Sequence, residues 1–253
     1  YYGESLENIL HRSDTDLSGI ISGLDYEDYN PETDKYIFKN FDVHNAIAIK
    51  GDNKEQLQKK LGLPVNRKIP MIGMVTRLVE AKGLDLVTRI LDELLEYENV
   101  QLVILGTGDR QYEDWFKGLV WRYPKKVSAN IFFNNELAHQ IYAASDLFLM
   151  PSQYEPCGIG QLIALRYGTV PIVRATGGLK DTVEAYNNYT QTGNGFSFNN
   201  YNAHELLFSI KRAIDGIADD RKHIHLVDNA MTADYSWEES AKQYKELYNS
   251  LKA

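Results

Sequence analysis

The sequence is poor in the features that mark several classes of protein. It has one cysteine in 253 residues, so no disulfide can form within the chain. Such sparse cysteine suits a reducing compartment, and we expect a cytoplasmic protein. No apolar run approaches the roughly 20 residues that a membrane-spanning helix needs, and no basic and apolar leader opens the chain. We therefore expect neither a disulfide-stabilised domain nor a membrane protein.

The charge pattern makes a nucleic-acid partner or a bound metal ion unexpected. The net charge is −8 and no cluster of Lys and Arg is present, whereas binding to a phosphate backbone needs a concentrated basic face. The six histidines are scattered, without the spacing of Cys/His ligand sets. Asp14-Thr15-Asp16 has the Asp-x-Asp form that holds a metal in one class of enzymes, but it falls outside the predicted sheet and is typical of a helix stop and turn.

What the sequence does contain is a regular alternation of short apolar runs and longer amphipathic stretches. Leu84, Val87 and Leu91 recur at helical spacing between the first two runs, and Gly168 ends a later helical pattern. Strand, helix and strand at this rhythm predict an α/β, Rossmann-like parallel sheet with helices on both faces. The predicted strands are 69–75, 100–106, 129–133, 146–151 and 170–175.

The two ends of the chain differ from this alternating region. Residues 1–65 hold predicted helices in 4–14 and 53–63 around a turn-rich loop, so we expect a lead-in segment packed on a domain of residues 66–253. The opening Tyr1-Tyr2-Gly3-Glu4 looks like a cut within a longer protein. Near the other end, Ser236 and Glu239 form a capping box that predicts a terminal helix with Trp237, Tyr244 and Tyr248 on or near its apolar side.

Ligands of an open parallel sheet bind at the carboxyl ends of its strands, which directs attention to four loops. Arg77 and Lys82 follow the first strand and precede a helix, where two cations suit a di-anion such as pyrophosphate or are simply solvated. The four loops are "TRLVEAKG" (76–83), "GTGDRQYE" (106–113), "PSQYEPCGIG" (151–160) and "ATGGLKDT" (175–182).

The loops 175–182 and 151–160 contain further candidate ligand-binding groups. The N–H groups of Gly177 and Gly178 can approach a phosphate closely, although a tight turn needing positive φ explains the same pair. Glu155 needs a partner if it is buried, either a basic group or helix N-terminus of the protein or a ligand rich in hydroxyl groups. Cys157 has no histidine nearby in sequence and is interpreted as a small buried thiol rather than a nucleophile.

A dinucleotide-binding oxidoreductase domain is the weaker alternative. The loop "GTGD" supplies Gly106 and Gly108, but Gln111 stands where the third glycine of Gly-x-Gly-x-x-Gly belongs. The fingerprint for a dinucleotide therefore fails.

Taken together, these loops resemble those of bacterial glycogen synthases and plant starch synthases over essentially the whole chain. The strongest match is "YEPCGIGQLIALRYGTVPIVRATGGLKDTV" (154–183), supported by "TRLVEAKGLDL" (76–86) and "YSWEESAKQYKELY" (235–248). The segment "GIISGLDYEDYNPETD" (19–34) is also similar, with Ser22 in place of the usual Asn.

The resemblance implies the carboxyl-terminal half of a GT-B, double-Rossmann glycosyltransferase that moves glucose from ADP-glucose to the 4-hydroxyl of an α-1,4-glucan with retention. Arg77 and Lys82 would bind the donor phosphates, Glu155 and the backbone after Cys157 at Gly158 would hold glucose hydroxyls, and Phe133 would lie near the adenine. The turn Thr176-Gly177-Gly178 would add N–H groups to the phosphate site, and no metal or other cofactor would be needed.

The resemblance also sets the alternatives. In the wider clan of retaining transferases, a second carboxylate stands eight positions after the residue that corresponds to Glu155. In this sequence that position is Ile163, as in bacterial-type synthases, and this favours ADP-glucose as the donor. A transferase using UDP-glucose or another sugar nucleotide, or a nucleotide- or glucan-binding module without activity, shares the fold. Because the amino-terminal GT-B domain is absent, we expect the chain alone to bind ADP weakly and to synthesise no glucan.

Overall fold

The computed structural model describes residues 6, 8 and 17–251. The helices are α1 (Ala46–Leu61), α2 (Leu84–Tyr97), α3 (Arg110–Arg122), α4 (Asn135–Ala144), α5 (Gly160–Arg166), α6 (Gly177–Thr182), α7 (Ala203–Ala218), α8 (Asp220–Thr232) and α9 (Trp237–Ser250). The strands are β1 (Met71–Val75), β2 (Gln101–Leu105), β3 (Val127–Asn130), β4 (Leu147–Met150), β5 (Val170–Arg174) and β6 (Phe196–Phe198).

The six strands form one parallel sheet in the order β3-β2-β1-β4-β5-β6. Successive side chains of a strand point to opposite faces, and here both faces are apolar. In β4, Leu147 and Leu149 join the core cluster that contains α2, α3 and α7, whereas Phe148 joins the cluster on the opposite face. The predicted Rossmann-like architecture with helices on both faces is confirmed.

The structure corrects one predicted strand and adds elements that the sequence did not predict. The third strand lies at Val127–Asn130 rather than 129–133, because Val127 is the residue whose side chain enters the core, while Phe133 is 90% exposed. A sixth strand, Phe196–Phe198, was not predicted, since three residues are too few to show a period. Helices α3, α7 and α8 were also not predicted.

The terminal helix α9 forms as predicted, but only half of the capping box is present. Ser236 Oγ accepts a hydrogen bond from the N–H of Glu239, whereas the N–H of Ser236 donates to Asp234. Trp237, Tyr244 and Tyr248 lie on this helix with side chains that remain 51%, 43% and 60% exposed. The apolar side of α9 is therefore largely uncovered by the described residues.

The segment before β1 packs on the sheet domain through polar contacts between residues that are far apart in the sequence. Asp34 is buried, and its Oδ2 lies 2.7 Å from His139 Nδ1 and accepts a 2.5 Å hydrogen bond from Tyr167. Burial alone would raise the pKa of Asp34, but these hydrogen bonds outweigh it and hold the pKa below its ordinary value. Apart from residues 6 and 8, the predicted helix at 4–14 lies outside the described residues, as does Asp14-Thr15-Asp16, and the division at residue 65 stays a prediction.

A second contact of this segment is a buried lysine. Lys50 of α1 donates to the carbonyl oxygens of Tyr142, Ala143 and Tyr167 and to Thr169 Oγ1, at 2.7–3.3 Å. These carbonyls belong to the ends of α4 and α5, where helix carbonyls lack partners of their own. Burial lowers the pKa of Lys50 to about 7, a shift that Asp146 opposes. Lys50 thus joins α1 to two helix ends at the cost of burying an ammonium group.

We predict that this cost makes stability depend on pH. The unfolded chain keeps Lys50 protonated up to its ordinary pKa of 10.5, whereas the folded chain releases that proton near pH 7. Between these values the unfolded state binds more protons, so raising the pH stabilises the folded state. From pH 7 to pH 9 the free energy of unfolding of the wild type should rise relative to Lys50→Met, by up to about 1.4 kcal/mol per pH unit. Urea denaturation at three pH values measures the difference.

The control is Lys60→Met, which removes a lysine of the same helix that is 40% exposed and paired with Glu136. Its free energy of unfolding should run parallel to that of the wild type over the same range. A difference between wild type and Lys50→Met that is constant from pH 7 to pH 9 would contradict the prediction.

Candidate functional site at the carboxyl edge of the sheet

The strand order reverses its direction between β1 and β4, which lie side by side at the centre of the sheet. The loops that leave two such strands diverge toward opposite halves of the sheet and open a crevice between them. The loop after β1 carries Arg77 and Lys82, and the loop after β4 carries Glu155. The topology thus places three of the predicted site residues on the two loops that border this crevice.

Lys82 and Glu155 meet across the crevice. Lys82 Nζ donates to Glu155 Oε2 at 2.5 Å, and the two side chains are only 20% and 11% exposed. Ser152 Oγ contacts the same carboxylate oxygen at 3.3 Å. The sequence left open whether the partner of Glu155 is a basic group of the protein or a ligand; in this structure it is Lys82. The ion pair joins two predicted groups, one from each of the loops that border the crevice.

The backbone of the two loops fits closely around this pair. The N–H of Gln153 donates to the carbonyl of Ala81 at 2.9 Å. Gly83 has φ +76, and a Cβ built on it would lie 2.1 Å from the carbonyl oxygen of Pro151. Only glycine combines the left-handed conformation with this approach. Gly83 therefore lets the loop after β4 rest directly on the turn that presents Lys82.

Arg77 and Phe133 border a separate pocket on the other side of the loop after β1. The pocket has a volume of about 240 Å³ and lies between the carboxyl ends of β1, β2 and β3. Its walls are mainly apolar, with Val75, Leu105 and Phe132 among the lining residues. Arg77 is exposed and forms no ion pair with any described residue. The pocket offers a flat apolar surface next to a cation, beside the crevice that holds Lys82 and Glu155.

The segment around Cys157 leads from Glu155 into helix α5. Gly158 has φ +74, and the buried side-chain amide of Gln161 donates to the carbonyls of Cys157 and Gly158, both at 3.0 Å. The thiol of Cys157 is free and half-buried, rather than fully buried as the sequence predicted. The first turn of α5 begins at Gly160, so its unpaired N–H groups give this end of the segment a partial positive charge.

The turn at Thr176-Gly177-Gly178 packs against the same segment from the next strand. The N–H of Gly178 donates to the carbonyls of Glu155 and Pro156 at 3.1 and 3.2 Å, and that of Thr176 donates to Arg174. Of these three N–H groups, only that of Gly177 has no hydrogen bond within residues 17–251. Gly177 has φ +46, and a Cβ there would lie 2.1 Å from the carbonyl oxygen of Glu155. The glycine pair thus supports the backbone of Glu155, and one N–H remains available to a ligand.

The described residues contain neither a cluster of potential metal ligands nor a helix able to span a membrane. No three His, Cys, Asp or Glu side chains within residues 6, 8 and 17–251 come together in a group able to hold a metal ion. Over the same residues, every helix is too short or too polar to cross a bilayer.

The family model described as glycosyl transferases group 1 matches residues 53–229, which include both β1 and β4 and the whole crevice. The chain belongs to this glycosyl transferase family. The match confirms the family resemblance that the loop motifs predicted.

Several relatives and solved structures of the family are similar over nearly the whole chain. It is 55% identical to a glycogen synthase of Clostridium novyi over 251 residues and 57% identical to one of Clostridium beijerinckii over 250 residues. These matches cover 99% of this chain but 52% of each relative, so the chain spans about half their length. The catalytic domain of starch synthase IV from Arabidopsis thaliana, bound to ADP and acarbose, superposes with a TM-score of 0.89 at 36% identity, over 98% of this chain and 52% of that one.

A more distantly related solved structure shares the fold. A sucrose-phosphate synthase of Thermosynechococcus elongatus superposes with a TM-score of 0.65 at 24% identity, over 97% of this chain and 56% of that one. Such a likeness concerns the arrangement of strands and helices alone. It agrees with the Rossmann-like GT-B domain that the sequence predicted.

The structure also identifies site residues that the sequence analysis missed. Arg174, Ser152 and Gln161 contact the backbone or the carboxylate around Glu155. The sequence gives one indication of a role for Arg174, which is that a charged residue ends the apolar run of β5. Ser152 and Gln161 have none, because a hydroxyl or an amide in a loop or helix is ordinary. The ligand-binding roles of all the residues named in the loops stay predictions.

Proposed function

We propose that this chain is the nucleotide-sugar-binding half of a retaining glucosyltransferase of the glycogen or starch synthase type. The observation that carries the proposal is the Lys82–Glu155 pair, 2.5 Å apart at the point where the strand order reverses. It places a cation for phosphate and an acceptor for sugar hydroxyls side by side. The 53–57% identity to glycogen synthases supports the proposal, and the starch synthase IV structure, which holds ADP and acarbose, supports a nucleotide and a glucan as ligands.

The chemistry follows from where charge develops. As the bond between C1 of glucose and the phosphate oxygen breaks, positive character grows on the sugar ring and negative charge on the departing nucleotide. We assign Lys82 and Arg77 to that phosphate charge, with the N–H of Gly177 as a further donor. Fixed donors of this kind stabilise the transition state more than the ground state. We assign Glu155 and the backbone of Cys157 and Gly158 to the hydroxyl groups of the transferred glucose.

The pocket beside Arg77 suits the base of the nucleotide. Its volume of about 240 Å³ and its apolar walls fit a planar heterocycle, and Phe133, 90% exposed at its border, offers a ring for stacking. We assign adenine to this pocket and ADP-glucose as the donor. Because Lys82 and Arg77, in the roles assigned to them here, supply positive charge to the phosphates, we propose that transfer needs no metal ion or other cofactor.

The remaining partners are proposals of the same kind. An α-1,4-glucan is the acceptor, and the amino-terminal half of the full-length protein completes the site. We assign the uncovered side of α9, with Trp237, Tyr244 and Tyr248, to contact with that half. We further propose a cytoplasmic location, which suits a protein with a single free thiol.

Calorimetric titration of the full-length protein with ADP, UDP and GDP tests the assignment. ADP should bind most tightly, and Phe133→Ala should weaken ADP binding by about tenfold, because losing a stacked base costs on the order of 1–3 kcal/mol. The matched control is Trp121→Ala, which removes an aromatic residue of α3 that is 85% exposed and does not line the pocket.

Each outcome selects one candidate. Tighter binding of UDP or GDP than of ADP would indicate a transferase of the same fold that uses another sugar nucleotide as its donor. Tight ADP binding without glucose transfer to a glucan by the full-length protein would indicate a binding module without activity. Equal effects of the two aromatic substitutions would contradict the assignment of the base to the Phe133 pocket.

A further inference from the structure

A buried arginine holds the loop that carries Glu155. Arg174, the last residue of β5, is 9% exposed. Its Nε donates to the carbonyl of Ser152 at 3.0 Å, and its Nη2 donates to the carbonyl of Gln153. Its Nη1 contacts the carbonyl of Asn199 at 3.5 Å. One guanidinium therefore binds two consecutive peptide groups that lie just before Glu155.

The same stretch of loop is held from its other side by the turn of Lys82. The N–H of Gln153 donates to Ala81, so the peptide group on each side of Gln153 has a partner. The loop is thus fixed between β5 and the turn after β1. Glu155 follows two residues later, and its carboxylate lies 2.5 Å from Lys82. The position of that carboxylate depends on where this anchored backbone lies.

Further contacts fix the guanidinium itself. The ring of Tyr201 lies 5.6 Å from its central carbon, and Tyr201 OH donates to Asp85 in the first turn of α2. Asp85 is three residues beyond Lys82. The contacts therefore run from the Glu155 loop through Arg174 and Tyr201 back to the helix that follows Lys82. Both sides of the ion pair are connected by this route.

The burial of Arg174 costs stability that the fold alone does not require. Among the described residues no carboxylate pairs with it, since every partner of its nitrogens is a backbone carbonyl. Burying a cation without a counter-ion costs free energy even when carbonyls accept its hydrogen bonds. An apolar residue at the end of β5 would avoid that cost and would leave the carbonyls of Ser152 and Gln153 without this donor.

We propose that Arg174 is a positioning residue for Glu155. This inference rests on the proposed function, because it assumes that the Glu155 carboxylate contacts the sugar. Arginine suits the role because its planar, forked donors bind neighbouring carbonyls in fixed directions. Lysine would keep the charge but offers one nitrogen on a flexible stem, so it cannot hold both peptide groups in the same geometry.

The test is Arg174→Lys in the full-length protein, with glucose transfer from ADP-glucose and calorimetric binding of ADP as readouts. We expect kcat to fall at least tenfold, since a shift of about 1 Å in a reacting group can cost a hundredfold. KM for ADP-glucose and Kd for ADP should rise by no more than about twofold, because Arg174 contacts neither Arg77 nor Lys82.

The matched control is Arg166→Lys. Arg166 also stacks on a tyrosine, at 4.5 Å from the ring of Tyr26, and donates to Asn30, but it anchors the segment before β1 rather than the Glu155 loop. Its kcat should equal that of the wild type. An unchanged kcat in Arg174→Lys would overturn the inference, as would a fall in kcat accompanied by an equal loss of ADP affinity.

A second readout separates this inference from the proposed function. Amide hydrogen exchange at residues 152–155, between the two prolines of the loop, should quicken in Arg174→Lys and not in Arg166→Lys, because the N–H of Gln153 loses its fixed geometry. If the wild type transfers no glucose, the proposed function fails, and exchange alone then decides whether Arg174 positions the loop. Equal exchange at residues 152–155 in both variants and the wild type would overturn the inference independently of activity.

Discussion

Lys82→Met is expected to reduce kcat/KM for ADP-glucose by about a thousandfold, the upper range for loss of one donor aimed at developing charge. The Lys82 side chain is 20% exposed in the crevice, so water replaces its ammonium poorly. Its removal also leaves Glu155, 11% exposed, with no cation, which adds repulsion toward a diphosphate. Kd for ADP should therefore rise at least tenfold. Steady-state kinetics and calorimetry on the full-length protein measure both quantities.

Lys211→Met serves as the control for this substitution. Lys211 pairs with Glu93 at 3.5 Å on the outer surface of α7, and its side chain is 35% exposed. Removing it changes the net charge by the same amount, so a general electrostatic effect would appear in both variants. A Lys82→Met enzyme with normal ADP affinity would show that the phosphates lie elsewhere.

Glu155→Gln is expected to lower kcat by about a hundredfold to a thousandfold and to tighten ADP binding severalfold. The two effects have opposite signs because the carboxylate has two partners. Toward the sugar it is the stronger hydrogen-bond acceptor, which glutamine replaces poorly. Toward the nucleotide it competes, since it lies 2.5 Å from the ammonium of Lys82 and lowers the positive potential there. Glutamine keeps the size of the side chain and removes this competition.

The opposite signs separate this prediction from a purely structural role of Glu155. A salt bridge that only stabilises the fold would reduce kcat and ADP affinity together when it is broken. Glu93→Gln breaks the surface pair with Lys211 and should leave both unchanged. Weaker ADP binding by Glu155→Gln would mean that the carboxylate does not compete for Lys82 and that the two roles have been assigned incorrectly.

The two variants can be combined in a double-mutant cycle. If Lys82 and Glu155 act on opposite ends of one donor, the loss of kcat in the double variant should be smaller than the sum of the single losses in free energy. The coupling has a direct structural basis in their contact.

The sequence was sufficient for the features that depend on local pattern. Buried strands such as 71–75 and 101–105 are apolar on both faces, and α2 carries leucines at helical spacing, so the layered α/β fold was readable. The loops at the carboxyl ends follow from that fold without further information. Phe196–Phe198 shows the limit, because a strand of three residues is defined by its neighbour β5 and not by its own composition.

The sequence by itself therefore determined the fold class and the family and predicted the edge of the sheet where the candidate site lies, since these depend on periodicity and on short motifs. The tertiary structure decided which groups meet. Lys82 and Glu155 are 73 positions apart in the sequence. Arg174 is 21 positions from Gln153 and 22 positions from Ser152, the two residues whose carbonyls accept its hydrogen bonds. No local pattern encodes such contacts, because hydrogen bonds and ion pairs depend on distances of a few ångströms that arise only when separate strands are aligned in one sheet.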